Sequence, residues 1–209
     1  MSKQSFKEIS SDSRGRVAKE AASLLYFGLE KEYKHAKMEA AHNLGLHVLP
    51  SNLEVALALD RLAEEIEGSS RQERLLQMRV VALEIMRLLE PYNTILIGSV
   101  WRGTICKSSD IDIEVYHDSP RDIATLLEDA KLRLSKTGWI NVNKHGETHS
   151  SFHIHADFHG HKIEIIVRRS EETKWRRICD TFGDEIRGLS VLELGKQLAK
   201  DPWARFLPR

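Results

Sequence analysis

Two short segments constrain the fold of this 209-residue chain more than anything else in it. In residues 109–116, SDIDIEVY, the acids Asp110, Asp112 and Glu114 alternate strictly with Ile111, Ile113 and Val115. In residues 161–168, HKIEIIVR, Lys162, Glu164, Ile166 and Arg168 share one parity, and Ile163, Ile165 and Val167 share the other. A period of two belongs to strands, because successive side chains point to opposite faces. Each segment therefore predicts a strand with one apolar face to bury and one face that carries charge.

The remaining organisation follows from caps and breakers. Upstream of Asn93 the texture is helical. Val17, Ala21, Leu24, Leu25, Gly28 and Leu29 recur at helical spacing in a segment reaching about Asn43. Ser51 with Glu54 predicts a capping box, and Ser70 with Glu73 predicts a second, whose helix ends before Pro91. TILIG, ending in Gly98-Ser99, reads as a buried strand. Ser119-Pro120 opens a helix expected to reach about Lys136, with Gly138 as its stop. Trp139 to Asn143 forms a further short strand. SFHIHADF and HKIEIIVR then pair as a hairpin turning at His159-Gly160. Ser190 with Glu193 caps a last short helix. The expectation is an α/β (α+β) fold with a β-α-β-α-β-β core, its mixed sheet flanked by helices. Three parts are expected: a helical region over 1–90, a core over 91–170 and a short helical tail over 171–209.

Charge narrows the function classes. The chain has 31 basic and 31 acidic residues. The balance holds locally, with 13 basic and 14 acidic groups in 1–90, 10 and 10 in 91–170, and 8 and 7 in 171–209. With 41% hydrophobic residues, such a chain is neither a disordered polyelectrolyte nor a protein that holds nucleic acid by bulk positive charge. Cys106 and Cys179 have no zinc-type or CxxC spacing, which fits a reduced compartment. The first residues lack an apolar signal region, and no run approaches the roughly 20 apolar residues of a membrane span. The expected location is cytoplasmic, with no membrane partner.

The charged strand faces carry the chemistry. Asp110 and Asp112, two positions apart, repel one another and resist joint ionisation. A divalent cation removes that penalty, and carboxylate oxygens are the ligands Mg²⁺ prefers. Glu164 adds a third carboxylate from a second strand, and three carboxylates can hold two ions across a phosphoryl group. Ahead of this strand, backbone amides after Gly98 and the Ser99 hydroxyl suit phosphate oxygens. Arg102, one turn on, can add a charge-assisted hydrogen bond.

Together, GSVWRGTICKSSDIDIEV and KIEIIV resemble the signature of the DNA polymerase β-like nucleotidyltransferase superfamily, over about residues 93–169. They are similar to its minimal nucleotidyltransferases of antitoxin type and to the catalytic core of archaeal CCA-adding enzymes. The resemblance implies a nucleotidyltransferase-type sheet in which Gly98 and Ser99 grip a nucleoside triphosphate, with Ser109 beside the Asp pair. It implies that Asp110, Asp112 and Glu164 bind two Mg²⁺ or Mn²⁺ ions. It further implies transfer of a nucleotidyl group from ATP or CTP to the hydroxyl of an RNA end, a protein or a small molecule, with release of pyrophosphate. Trp101 stands where relatives usually place a small residue, either as a stacking surface for a base or as core. Asp157 is a rival to Glu164 for the third carboxylate.

Two features lie beside this pattern. Six of the ten histidines fall between His145 and His161, and His153, His155 and Asp157 share a strand face. They read as a zinc site, as contacts to nucleotide or acceptor, or as ordinary exposed residues. Arg168, Arg169, Lys174, Arg176 and Arg177 form the one dense basic run, with Trp175 among them. It reads either as a solvated face or as a phosphate patch, Arg168 being its candidate nucleotide ligand. A non-catalytic nucleotide-binding module on the same fold is the alternative function.

Overall fold

The structure is a computed structural model that describes the backbone of residues 3–144 and 147–208 and the side chains of residues 12–143 and 148–208. Its five strands are β1 (Asn93–Ile97), β2 (Ile111–Tyr116), β3 (Arg133–Lys144), β4 (Glu147–Phe158) and β5 (His161–Arg168). They form one sheet in the order β1-β2-β5-β4-β3. β2 and β5 run parallel, and every other pair is antiparallel. Seven α-helices accompany the sheet among the described residues: α1 (Lys3–Tyr26), α2 (Tyr33–Asn43), α3 (Asn52–Glu67), α4 (Ser69–Leu88), α5 (Gly98–Arg102), α6 (Pro120–Asp129) and α7 (Val191–Lys200). The fold is thus mixed α+β, with a mixed sheet flanked by helices, consistent with the expected nucleotidyltransferase type. Among the described residues no helix is long and apolar enough to cross a membrane.

Alternation explains the central layer. Ile111, Ile113 and Val115 of β2 and Ile163, Ile165 and Val167 of β5 are buried together with Met78, Ala82 and Ile85 of α4 and Ile123 and Leu127 of α6. Full burial of side chains this size contributes about 1.5–3 kcal/mol each. The opposite face of the same two strands is thereby turned outward as a unit. α1, α2 and α3 bury a second cluster that includes Val17, Ala21, Ala36, Ala40 and Val55. Tyr26, Ala63 and Cys106 form a third, smaller cluster.

The local expectations hold at some ends and fail at others. Ser51 and Glu54 form the expected capping box, as do Ser190 and Glu193. His159 and Gly160 both take positive φ, at 49° and 78°, as a two-residue hairpin turn requires. The helical pattern from Val17 to Asn43 is broken after Tyr26. Gly28 sits at φ 72°, and the amides of Leu29 and Glu30 bond back to the Leu24 carbonyl. Ser70 does not cap α4; its hydroxyl donates instead to the Glu67 carbonyl, and Gly68 is the cap residue. α6 stops at Asp129, seven residues short of the expected Lys136, and Lys131 turns the chain at φ 63°. Gly138 is therefore a mid-strand residue of the long β3, opposite His153, rather than a helix stop. Between β5 and α7 the chain forms one 3-10 turn (Ser170–Lys174) followed by irregular chain, so the only α-helix of the 171–209 tail among the described residues is α7.

One buried cation fixes the turn that leads toward β2. Arg79 of α4 is fully buried and has neutral acceptors: the carbonyls of Val100 (3.1 Å), Trp101 (2.9 Å), Pro202 (2.6 Å) and Ala204 (2.8 Å). Burial pulls its guanidinium down to about 10. It thus ties together α4, the end of α5 and the irregular chain after α7. Gly103, at φ 73°, completes the close approach, because a Cβ there would sit 3.0 Å from the Ala204 carbonyl.

Candidate active site

β1 delivers the chain into Gly98 at φ 69°, a left-handed conformation that favours glycine. The neighbouring strand makes the choice stricter. Ile97 is paired with Asp112, and a Cβ on Gly98 would collide with Asp112 Oδ2 and lie 2.9 Å from its Cγ. The Asp112 carboxylate therefore packs against the bare Cα of the turn. On its other side Asp112 is in register with Glu164 of β5, and Glu164 is in register with His155 of β4. One row across the sheet thus reads Ile97, Asp112, Glu164, His155. Asp110 lies just before β2 and is half-buried.

The electrostatics of this row are unbalanced. Asp112 has no hydrogen-bond partner among the described residues. Burial is the main cause that pushes its carboxyl up to about 8, and the charges of Glu164, Asp110 and Glu114 add to it. Burial also raises Asp110, with Lys162 opposing and Glu164 reinforcing the shift. Glu164 is held low, first by the hydrogen bond from His153 at 2.6 Å and then by the nearby imidazoles, against its burial. His155 Nε2 stands 3.7 Å from the same oxygen, Glu164 Oε1.

The three carboxylates offer only oxygen, and half-buried Asp112 has no hydrogen-bond partner among the described residues. Those are the properties of a site for a hard divalent cation, so Asp110, Asp112 and Glu164 fit Mg²⁺ or Mn²⁺ in kind. Among the described residues no three His, Cys, Asp or Glu side chains enclose a point that could hold a metal ion as the side chains now stand. Glu164 Oε1 is turned toward β4 instead. Among the described residues the histidine face gathers no zinc-type cluster either: His153 and His155 lie against Glu164, and His149 is edge-on to Trp175 at 5.7 Å. His145 lies outside the described residues. Asp157 is in register with Lys162 and 3.8 Å from Arg133, two residues along from the Glu164 row.

Of the other candidates, Ser99 is half-buried and its carbonyl accepts the Thr104 amide at 3.0 Å. The Ser109 hydroxyl accepts the Cys106 amide at 2.9 Å, closing the loop ahead of Asp110. The arginines are placed differently from the expectation. Arg102 is buried and bonded to Asp184 (2.6 and 3.1 Å) and the Phe206 carbonyl (3.0 Å), with the rings of Trp101 and Phe182 4.5 and 4.2 Å away. Trp101 itself is buried and stacked on Phe206, so it is core. Arg168 binds Glu114 at 2.8 Å and Glu172 at 3.4 Å. Arg177 grips both oxygens of Glu114, and Arg176 pairs with Glu185. The expected cationic patch is thus largely matched to acids, and those partners lie 54 to 82 positions away for Arg102, Arg168 and Arg177, beyond the reach of local pattern.

Ser151 was not singled out by its sequence. Its hydroxyl lies 2.9 Å from His153 Nε2, while His153 Nδ1 faces Glu164. The signal was present: a two-residue turn at His159-Gly160 fixes the β4–β5 register, and alternation then puts residues 151, 153 and 155 on the Glu164 face.

No family model matches this chain, and no curated protein matches it. Among solved structures, 55% of the chain superposes on 39% of a chain in the structure of the GLD-2/RNP-8 complex, with 17% identity and a TM-score of 0.31. The match therefore spans well under half of that chain's length.

Proposed function

We propose that this protein is a metal-dependent nucleotidyltransferase that moves a nucleotidyl group from a nucleoside triphosphate, ATP or CTP, to an acceptor hydroxyl. The observation that supports this most is the Asp112 carboxylate, half-buried against Gly98, in register with Glu164 and lacking a hydrogen-bond partner among the described residues. A buried carboxylate without a partner is costly, and a site that keeps one beside two further carboxylates is suited to a cation. Asp110, Asp112 and Glu164 would hold two Mg²⁺ or Mn²⁺ ions, which when bound neutralise charge on the transferring phosphoryl group. Gly98, by lacking a side chain, lets the Asp112 carboxylate stand against the turn, and the Ser99 hydroxyl can donate to a phosphate there. The acceptor oxygen forms a bond to the α-phosphorus, the α–β anhydride bond breaks, and pyrophosphate leaves. Glu164 can accept the proton that the acceptor hydroxyl loses.

A second reading, a non-catalytic nucleotide-binding module, has one observation in its favour: Arg102 and Arg168 are committed to Asp184 and Glu114, away from any phosphate role. One experiment separates the two. The protein is incubated with each α-labelled triphosphate, Mg²⁺ or Mn²⁺, and total RNA or lysate protein, beside an Asp110→Ala/Asp112→Ala variant. Label transferred by wild type and lost in the variant is the expected result. Equal transfer by both sinks the catalytic reading, and binding of triphosphate without transfer favours the module.

A further inference from the structure

We infer that His153 is a positioning residue for Glu164, oriented in turn by Ser151; the inference rests on the nucleotidyltransferase reading of the same site. The three side chains form a chain of short contacts across two antiparallel strands. Ser151 Oγ stands 2.9 Å from His153 Nε2, and His153 Nδ1 stands 2.6 Å from Glu164 Oε1. In the neutral ring only one nitrogen carries a proton. Nδ1 must carry it here, because a carboxylate oxygen only accepts; Nε2 is then the acceptor for the Ser151 hydroxyl. The two contacts therefore fix both the tautomer and the rotation of the ring.

Burial makes this arrangement stiff. Ser151 is 6% exposed, and the side chains of His153 and Glu164 are 14% and 23% exposed. The strand provides the rest: residues 151 and 153 sit on one face of β4 by alternation, and His153 is opposite Ile166, one diagonal step from Glu164. With Oε1 held on the β4 side, the Glu164 carboxylate cannot rotate freely, and Oε2 keeps no hydrogen-bond partner among the described residues. A carboxylate that must act together with Asp110 and Asp112 gains from such an outer contact, since loss of the group that orients a metal-binding side chain typically lowers metal affinity or activity by about 10–100-fold. His155, 3.7 Å from the same oxygen, is too distant for a hydrogen bond and has no such part.

The test uses Mn²⁺ binding, followed by its paramagnetic resonance signal, together with label transfer and melting temperature. The variants are His153→Leu, His153→Asn, Ser151→Ala and His155→Leu. The expected result is Mn²⁺ affinity about 10–100-fold weaker and kcat reduced for His153→Leu, with the melting temperature little changed. The Asn variant, whose amide N–H replaces the Nδ1 donor, recovers most of both. Ser151→Ala gives a smaller loss, and His155→Leu, which removes a nearby imidazole but no hydrogen bond, a smaller one still. A long-range nitrogen–proton spectrum of the metal-free protein should show His153 protonated at Nδ1. Wild-type Mn²⁺ affinity in His153→Leu, or a ring with no proton on Nδ1, overturns the positioning role while transfer by wild type leaves the nucleotidyltransferase reading standing. If wild type neither binds Mn²⁺ through Asp110 and Asp112 nor transfers label, both fall together.

Discussion

Asp112 and Glu114 sit two residues apart on the same face of the same strand, yet the protein treats them in opposite ways. Glu114 is fully buried and fully answered: Arg168, Arg177 and the Tyr116 hydroxyl all donate to it. Its neighbour Asp112 is half-buried and unanswered, and its carboxyl is pushed up to about 8. Both positions face charge away from the isoleucine core, so alternation alone treats them as equals. The difference lies in what the rest of the chain brings. The Glu114 end of the sheet receives the segment after β5, with its arginines, and becomes a closed ion cluster. The Asp112 end receives a glycine and two more carboxylates. A structural acid is given partners; an acid kept for a ligand, as we propose for Asp112, is left without them.

The largest expected effect breaks that comparison at its open end. Asp110→Ala/Asp112→Ala should reduce nucleotidyl transfer by about 10³-fold or more, because several kcal/mol of charge stabilisation are removed. Its chemical denaturation midpoint should stay at or above that of wild type, which separates the open end from a structural acid. At the closed end, Glu114→Ala should lower stability by about 3–5 kcal/mol in urea denaturation, since it strands two partly buried arginines. If it instead left stability intact and removed only activity, the distinction between the two acids would be wrong.

Gly98→Ala sharpens the comparison next. At φ 69° an alanine is strained, and its Cβ would displace Asp112. A loss of about 1–3 kcal/mol of stability is expected with a disproportionate fall in transfer. The pH dependence follows from the same residue. An acid whose folded pKa is raised binds its proton more tightly folded than unfolded, so stability falls as pH rises between the unfolded value near 4 and the folded value of about 8. Melting temperatures of metal-free wild type should therefore drop by a few degrees relative to Asp112→Asn across that window, and Mg²⁺ should narrow the gap. Least affected is the remote capping box: Ser51→Ala should remove about 1 kcal/mol of stability and leave transfer unchanged.

Much of this was legible in the sequence, for physical reasons that also mark where legibility ends. Period two in 109–116 and 161–168 announces β2 and β5 because both have one face against helices. The boxes at Ser51 and Ser190 are local devices and read locally. Ser70 fails as a cap because Gly68, already at φ 54°, ends α3 and starts α4 at once. α6 ends before its pattern predicts because Lys131 makes the turn and pairing with β4 recruits residues 133–144 into strand, which leaves Gly138 inside β3 rather than at a helix end. The carboxylate row is legible as three acids, but its order across the sheet depends on β2 and β5 being parallel neighbours, which separation in sequence hides. The partners of Arg102 and Arg168 are the least legible part. They are set by tertiary meeting, and the run of basic residues gives no hint that Glu114 and Asp184 wait for them.

The Arg79 clamp has a consequence in time. Arg79 joins the turn after β1 to the carbonyls of Pro202 and Ala204, and Arg102 of that turn bonds Phe206, 104 positions later. At a synthesis rate of about 5–20 residues per second, residue 206 follows residue 102 by roughly 5–20 s. During that interval the nascent chain can hold the hairpin of β4 and β5 and the apolar face of β2, but not the anchored turn beside Asp112. The carboxylate row is thus fully anchored only once residues 202–206 have closed behind it, and truncation before residue 202 should leave the strands in place while the turn beside Asp112 stays loose.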